Sequence, residues 1–257
     1  MAHRPARSLK HEYELYVEEE IENYKESVPR SVLLSIGDEA VSALALQQQL
    51  ALTELLLCEE VDRIIFRRLR LPSYSTWRRR RVKYISELRS PERWGLHPDD
   101  VVVRTVHPGP DGHVLVAGTG DDAALYLAAN GCDVTAVDSE TDAIVRVLSA
   151  ANEAGLGERV HAIADLETWS PVSQLSAVIV TPDALSALTP SQRARVIEML
   201  QGATLDGGVH LVKAIVAGRK ALTVEELRSR YHGWTVSVED GEERGRTFMA
   251  RKESPRS

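Results

Sequence analysis

The stretch Val114 to Asp138, VLVAGTGDDAALYLAANGCDVTAVD, decides how this chain is read. Val114 to Ala117 are small or branched apolar residues that run straight into Gly118-Thr119-Gly120. That is the pattern of a strand buried on both faces and ended by a tight turn. Asp122 to Asn130 has helical composition, and Gly131 suits its C-terminal stop. A second apolar strand, Val134 to Val137, follows at once, with Asp138 at its carboxyl end. In a parallel sheet that end opens onto the ligand crevice, so the glycines and the carboxylate face one bound molecule. The glycines let backbone amides approach it, and the acid can accept hydrogen bonds from a ribose diol. Gly118, Gly120 and Ala123 also satisfy G-x-G-x-x-A, so NAD has to be weighed beside S-adenosylmethionine as the ligand.

Outside this stretch the same alternation continues. The sequence predicts a helix from about Asp142 to Ala154, a strand from Val160 to Ala164, and a second strand-end acid, Asp165, followed by Leu166. An apolar strand, Ala177 to Val180, leads into the loop Thr181-Pro182-Asp183 and a helix from about Ser191 to Gly202. Gly207-Gly208 opens the strand Val209 to Val216. A helix near Val224 to Tyr231 precedes a closing hairpin, Trp234 to Val238 and Thr247 to Arg251, turning around Gly241.

From about His97 onward the chain resembles a class I S-adenosylmethionine-dependent methyltransferase. The likeness rests on VLVAGTG, VTAVD, the acid in AIADLETW, the LTPSQRARVIEML helix followed by LDGGVHLV, and the terminal hairpin. It implies a Rossmann-like, seven-stranded, doubly wound and mostly parallel α/β sheet, here preceded by an all-α helical segment, with S-adenosylmethionine as cofactor. By the resemblance Gly118, Thr119 and Gly120 contact the methionine and ribose portion, with Ser139 and Thr181 beside it. Asp138 takes the ribose hydroxyls, and Asp165 with Leu166 the adenine. A dehydrogenase would need a further substrate domain, and the residues after Asp138 leave no room for one.

The chain departs from the family pattern at two points. Val116 and Asp122 stand where the family has an acid and a third glycine. The missing acid helps to hold the methionine amino group, so Asp121 or Asp122 is the replacement expected here. Acids at a helix start also suit the positive end of its dipole, which is the alternative reading of both.

Composition bounds the rest. The 257 residues, 43% hydrophobic, can bury one large core and a smaller helical one. The chain has no apolar run of 18 residues, and no apolar core follows its early basic residues, so neither a membrane span nor a secretory signal is expected. Two cysteines, Cys58 and Cys132, suit small buried thiols in a reduced cytoplasm. The eight histidines show no ligand spacing, so no metal is expected.

Residues 1–95 are read as a helical domain, serving as lid, acceptor site or dimerisation surface, and 96–257 as the cofactor domain. Glu12 to Glu26 reads as an amphipathic helix closed by Pro29. The mostly apolar stretch from Ser31 to about Arg70 is expected to break near Gly37, with Asp38 capping a second helix. The apolar run from Ala43 to Leu57 calls for cover on more than one side, from neighbouring helices, the Rossmann-like domain or a second copy of the chain, so a homodimer through these helices is one of the arrangements expected. Between Arg63 and Arg93 lie eleven basic residues against Glu87 and Glu92. This is either a nucleic-acid surface, with Tyr74 and Trp77 for stacking, or a solvated face compensated by the thirteen acids from Glu12 to Asp62; the second is preferred.

The expected acceptor is a small molecule, met by Tyr13, Tyr16, Tyr24, Tyr74 and Trp77 opposite Thr181 to Asp183, with Asp183 taking its proton. Each of these aromatics has core packing as its alternative reading. Two other activities stay open: transfer of an aminocarboxypropyl group, as in nicotianamine-synthase-like proteins, and a Rossmann-like scaffold that has lost catalysis.

Overall fold

A computed structural model describes residues 8–46, 54–107, 112–118, 120–186, 188–215, 222–240 and 245–253. The chain divides into two compact units, with the division between Tyr84 and Ile85.

The first unit is helical. Helix α1 (Leu9–Ser27) starts where the Ser8 hydroxyl accepts from the His11 amide at 3.2 Å, satisfying one of the free N–H groups of the first turn. It is followed by α2 (Arg30–Leu46) and α3 (Glu54–Leu69). Helix α4 (Tyr74–Leu88) runs past the division. Ile21, Ile36, Ala40, Ile64 and Ile65 form the buried centre, one stripe from each of the first three helices. The expected break at Gly37 does not occur: α2 runs through Gly37 and Asp38, because a stripe four residues apart (Ile36, Ala40, Leu44) is buried and tertiary packing outweighs the weak propensity of one glycine. Residues 47–53, within the apolar run expected to need extra cover, lie outside the described residues.

The second unit is the α/β body. A single 3₁₀ turn (Pro91–Trp94) and α5 (Val101–Thr105) precede β1 (His113–Ala117), α6 (Asp121–Ala129), β2 (Asp133–Val137), α7 (Thr141–Glu153) and β3 (Val160–Ile163). Then come β4 (Leu175–Val180), α8 (Pro182–Ser186), α9 (Pro190–Ala203), β5 (Thr204–Ile215), α10 (Val224–Arg230), β6 (Trp234–Asp240) and β7 (Arg246–Lys252). The seven strands lie in the order β3-β2-β1-β4-β5-β7-β6. All pairs are parallel except those of β7, which runs antiparallel between β5 and β6.

From Val114 to Ala117 β1 is apolar because both of its faces are covered. Val114 and Val116 join the core under α5, α6 and α7, while Leu115 and Ala117 join the one under α9 and α10. Leu115 is fully buried, and its removal to alanine would cost about 2–5 kcal/mol. Two local expectations are corrected. Thr181-Pro182-Asp183 is not an open loop, because Pro182 begins the short helix α8, a position where its missing N–H costs nothing. Cys58 is exposed rather than buried, whereas Cys132 is buried as expected. Among the described residues no helix is long and apolar enough to cross a membrane.

Candidate functional site

The site lies at the carboxyl edge of the parallel strands. Gly118 follows β1 with a backbone φ of +93°, and its N–H donates to Val137 O at 2.9 Å, which ties the turn to β2. A Cβ built on Gly118 would stand 2.0 Å from Thr181 Oγ1, so only glycine allows the chain to pass Thr181 here. Thr181 continues the β4 ladder, donating to Ala117 O at 3.0 Å. Its Oγ1 is buried and has no hydrogen-bond partner among the described residues. An orphaned buried hydroxyl beside a glycine cradle is costly without a ligand and satisfied by one.

Asp138 and Asp165 leave β2 and β3 with the same local geometry. Asp138 Oδ1 accepts from the Glu140 amide at 2.9 Å and Asp165 Oδ1 from the Glu167 amide at 2.8 Å. Each aspartate thus folds its own loop into a tight turn with one oxygen. Asp165 also accepts through Oδ2 from Thr168 Oγ1 at 3.1 Å. Leu166 is buried in the same core cluster as Val137 and Val180 and also borders the crevice.

These residues share one cavity of about 370 Å³, lined by Gly118, Asp138, Ser139, Asp165, Leu166 and Asp183 among others. That volume falls within the range of small-molecule sites, about 300–1,000 Å³. Gly120 and Asp121 face an adjoining cleft of about 10 Å³ that Gly118 and Asp138 also line. Burial pushes the Asp121 carboxyl up; Arg146, at 3.6 Å, pulls it down, and the charges of Asp138 and Asp122 add to the rise. Asp122 is not in either lining, and its Oδ1 accepts from the Ala123 amide at 2.8 Å. Of the two acids, Asp121 is therefore the one placed beside the glycine turn. Thr119 lies outside the described residues.

The five aromatics expected at the acceptor lie in the helical unit. Tyr13 lies 5.4 Å from Tyr74 and 5.5 Å from Trp77, and Tyr16 lies 6.2 Å from Trp77, centroid to centroid. The Tyr13 hydroxyl donates to Pro72 O at 2.9 Å, and Tyr24 packs on the isoleucine core. These contacts bind α1 to α4 and α3. Charge compensation in the basic segment is partial: Arg63 pairs with Glu60, Arg68 with Glu39, and Arg81 with Glu12 at 3.2 Å.

His210 is buried in the middle of β5, level with Val178 of β4, with Nε2 at 2.7 Å from Thr204 Oγ1 and Nδ1 at 2.8 Å from the Tyr231 hydroxyl. Thr204 donates to Leu200 O at 2.7 Å, so it accepts from Nε2–H, and Nδ1 in turn accepts from Tyr231. Burial, with the nearby Lys252 charge, lowers the His210 pKa to about 3, so the ring is a neutral structural link. What sequence reasoning missed is a second cavity, about 380 Å³, walled by α5, β5 and the β6–β7 hairpin. Its charged residues, Lys213 and Glu239 among them, are far apart in sequence and no local motif marks them.

A doubly wound sheet with one antiparallel strand inserted before its edge, and a glycine-and-acid cavity at the carboxyl ends of β1 to β4, define a class I S-adenosylmethionine-dependent methyltransferase. The sequence model of the family described as tellurite resistance protein TehB matches residues 96–254, well over half the chain. The chain belongs to that family, with S-adenosylmethionine as its cofactor.

Among solved structures, TehB from Haemophilus influenzae aligns with a TM-score of 0.50 at 20% identity, covering 62% of this chain and 63% of that one. The N-methyltransferase NodS from Bradyrhizobium japonicum WM9 gives 0.47 at 15% identity, covering 62% of this chain and all of that one. An rRNA methylase from Streptococcus thermophilus gives 0.48 at 18%, covering 60% and 93%. At these identities the likeness concerns the fold alone. No curated protein matches the sequence.

Proposed function

We propose that this chain transfers the methyl group of S-adenosylmethionine to a small-molecule acceptor at the carboxyl edge of its sheet. The observation that carries the proposal is the convergence of Gly118, Asp138, Asp165 and Asp183 on one cavity from four separate strand ends. In this reading Asp138 accepts from the ribose diol. Leu166 and the Asp165 loop border the adenine. The Gly118 turn, Thr181 Oγ1 and Asp121 hold the methionine end, which gives the orphaned hydroxyl a partner and replaces the acid missing at Val116. The sulfonium supplies its own leaving group, so the protein's task is alignment of the acceptor and exclusion of water.

Asp183 enters the same cavity from the first turn of α8 and is the group proposed to take the proton from an acceptor hydroxyl or amine. The test is an assay with methyl-labelled cofactor and pooled small molecules, followed by product analysis. Label in an acceptor, with S-adenosylhomocysteine as coproduct, supports the reading; methylthioadenosine would point to aminocarboxypropyl transfer instead. With an acceptor in hand, Asp183→Asn is expected to slow turnover about 100-fold or more while cofactor affinity stays within about twofold. Unchanged turnover would remove Asp183 from this role.

A further inference from the structure

The second cavity shares an edge with the first. Val180 of β4 is the register partner of Val212 of β5. Thr181 and Lys213 each follow one residue later, so they stand at the same level on adjacent strands. Thr181 belongs to the cofactor turn, and Lys213 opens the neighbouring cavity. Beyond Lys213 along the edge come Thr247 on β7, then Glu239 and Asp240 on β6. The second cavity therefore begins one strand away from Thr181 and the Gly118 turn that it packs against.

Its walls are built rather than incidental. Lys213 Nζ donates to both carboxylate oxygens of Asp100, at 3.2 and 2.9 Å, in a pair whose side chains are only 25% and 20% exposed. Asp100 also caps α5, accepting from the Val102 amide at 2.8 Å. Arg104 donates through Nε to Asp99 O at 2.8 Å and through Nη2 to Glu239 at 2.7 Å. Two ion pairs thus fasten α5 to β5 and β6.

Both cations keep N–H groups beyond those bonds, the third on Lys213 and those on Nη1 of Arg104. Both kinds of charge face the space: carboxylates of Asp99, Asp100, Glu239 and Asp240, and the cations Lys213 and Arg104. The Asp240 side chain is 90% exposed and pairs with Arg246 at 3.4 Å, so its lone pairs are accessible. An anion alone would meet four carboxylates, and a cation alone would meet the ammonium and guanidinium on the inner wall. A molecule carrying both charges satisfies both sets.

Building on the methyltransferase reading above, we propose that this cavity is the acceptor site and that the acceptor is a small zwitterion of the amino-acid type. Its acidic group lies toward Lys213 and Arg104 and its α-amine toward Glu239 and Asp240, so the atom that meets Asp183 and receives the methyl group is a hydroxyl or amine of its side chain.

Protein-detected NMR titrations of the full chain, saturated with S-adenosylhomocysteine, test this. The probes are the twenty proteinogenic amino acids, with acetate, ethylamine and tellurite, the oxyanion in the family's name, as single-charge controls. At least one amino acid is expected to bind about tenfold or more tighter than any control. Lys213→Met and Glu239→Gln should each weaken that binding about tenfold, with S-adenosylhomocysteine affinity held within about twofold. Glu239 is half-exposed, so its variant keeps the test alive if Lys213→Met fails to fold. The proposal is overturned if the chain binds S-adenosylhomocysteine but no amino acid, if a control binds as tightly, or if both variants bind the amino acid as the parent does. Failure to bind S-adenosylhomocysteine would instead overturn the cofactor reading, and this one with it.

Discussion

At Gly118 one missing Cβ decides whether the cofactor turn can form. Alanine there must adopt a φ of +93° and place a carbon 2.0 Å from Thr181 Oγ1. Gly131 offers a matched control, since its φ is +104° but no atom lies within 4 Å of a built Cβ. Gly131→Ala should cost only the backbone strain, about 1–2 kcal/mol, and leave cofactor affinity intact. Gly118→Ala should cost more and weaken S-adenosylmethionine binding about tenfold or more, as measured by calorimetry beside thermal unfolding.

His210 supplies a pH prediction. Its pKa is lowered in the folded chain to about 3 from an ordinary 6.5, chiefly by burial, so below pH 6.5 the unfolded chain takes up a proton that the folded one refuses. Its contribution is complete above pH 6.5 and is lost as the pH falls toward 3. Between pH 6.5 and 5 the loss is about 2 kcal/mol. Denaturant unfolding of His210→Asn should therefore show a correspondingly shallower decline over that interval. An identical decline would mean that the ring is not held neutral.

At the level of elements, Gly37 offers a stabilising change. It lies inside α2 with nothing within 4 Å of a built Cβ, so Gly37→Ala should raise stability by about 0.5–1 kcal/mol in denaturant unfolding. The same glycine shows why sequence reading mistook a continuous helix for two. Local chemistry signals a break, while the burial of Ile36 and Ala40 that overrides it depends on α1 and α3.

The strands of the α/β body were legible because strands buried on both faces must be largely apolar, and Val114 to Ala117 and, apart from the buried Thr135, Val134 to Val137 are. The strand-end acids Asp138 and Asp165 were legible for a related reason, since their place follows from where each strand stops. Other features depend on pairings between distant segments. β5 begins at Thr204 instead of Val209, with an irregular register against β4 near Leu175, and no local pattern marks that bulge. The Lys213–Asp100 pair joins residues 113 positions apart, so the cavity it helps to form had no sequence signature.

Across the whole molecule, the residues proposed to hold the cofactor all belong to the second unit, residues 85–257, and the aromatics expected at the acceptor all belong to the first. Cofactor binding is thus a property the α/β body can show without an identified acceptor. Its decisive test is isothermal titration calorimetry of the full chain with S-adenosylmethionine, repeated on Asp138→Ala. The account predicts one site per chain in the micromolar range, weakened about tenfold or more by Asp138→Ala, and no competition from NAD. Absence of binding at about millimolar cofactor, or affinity unchanged in Asp138→Ala, would contradict it.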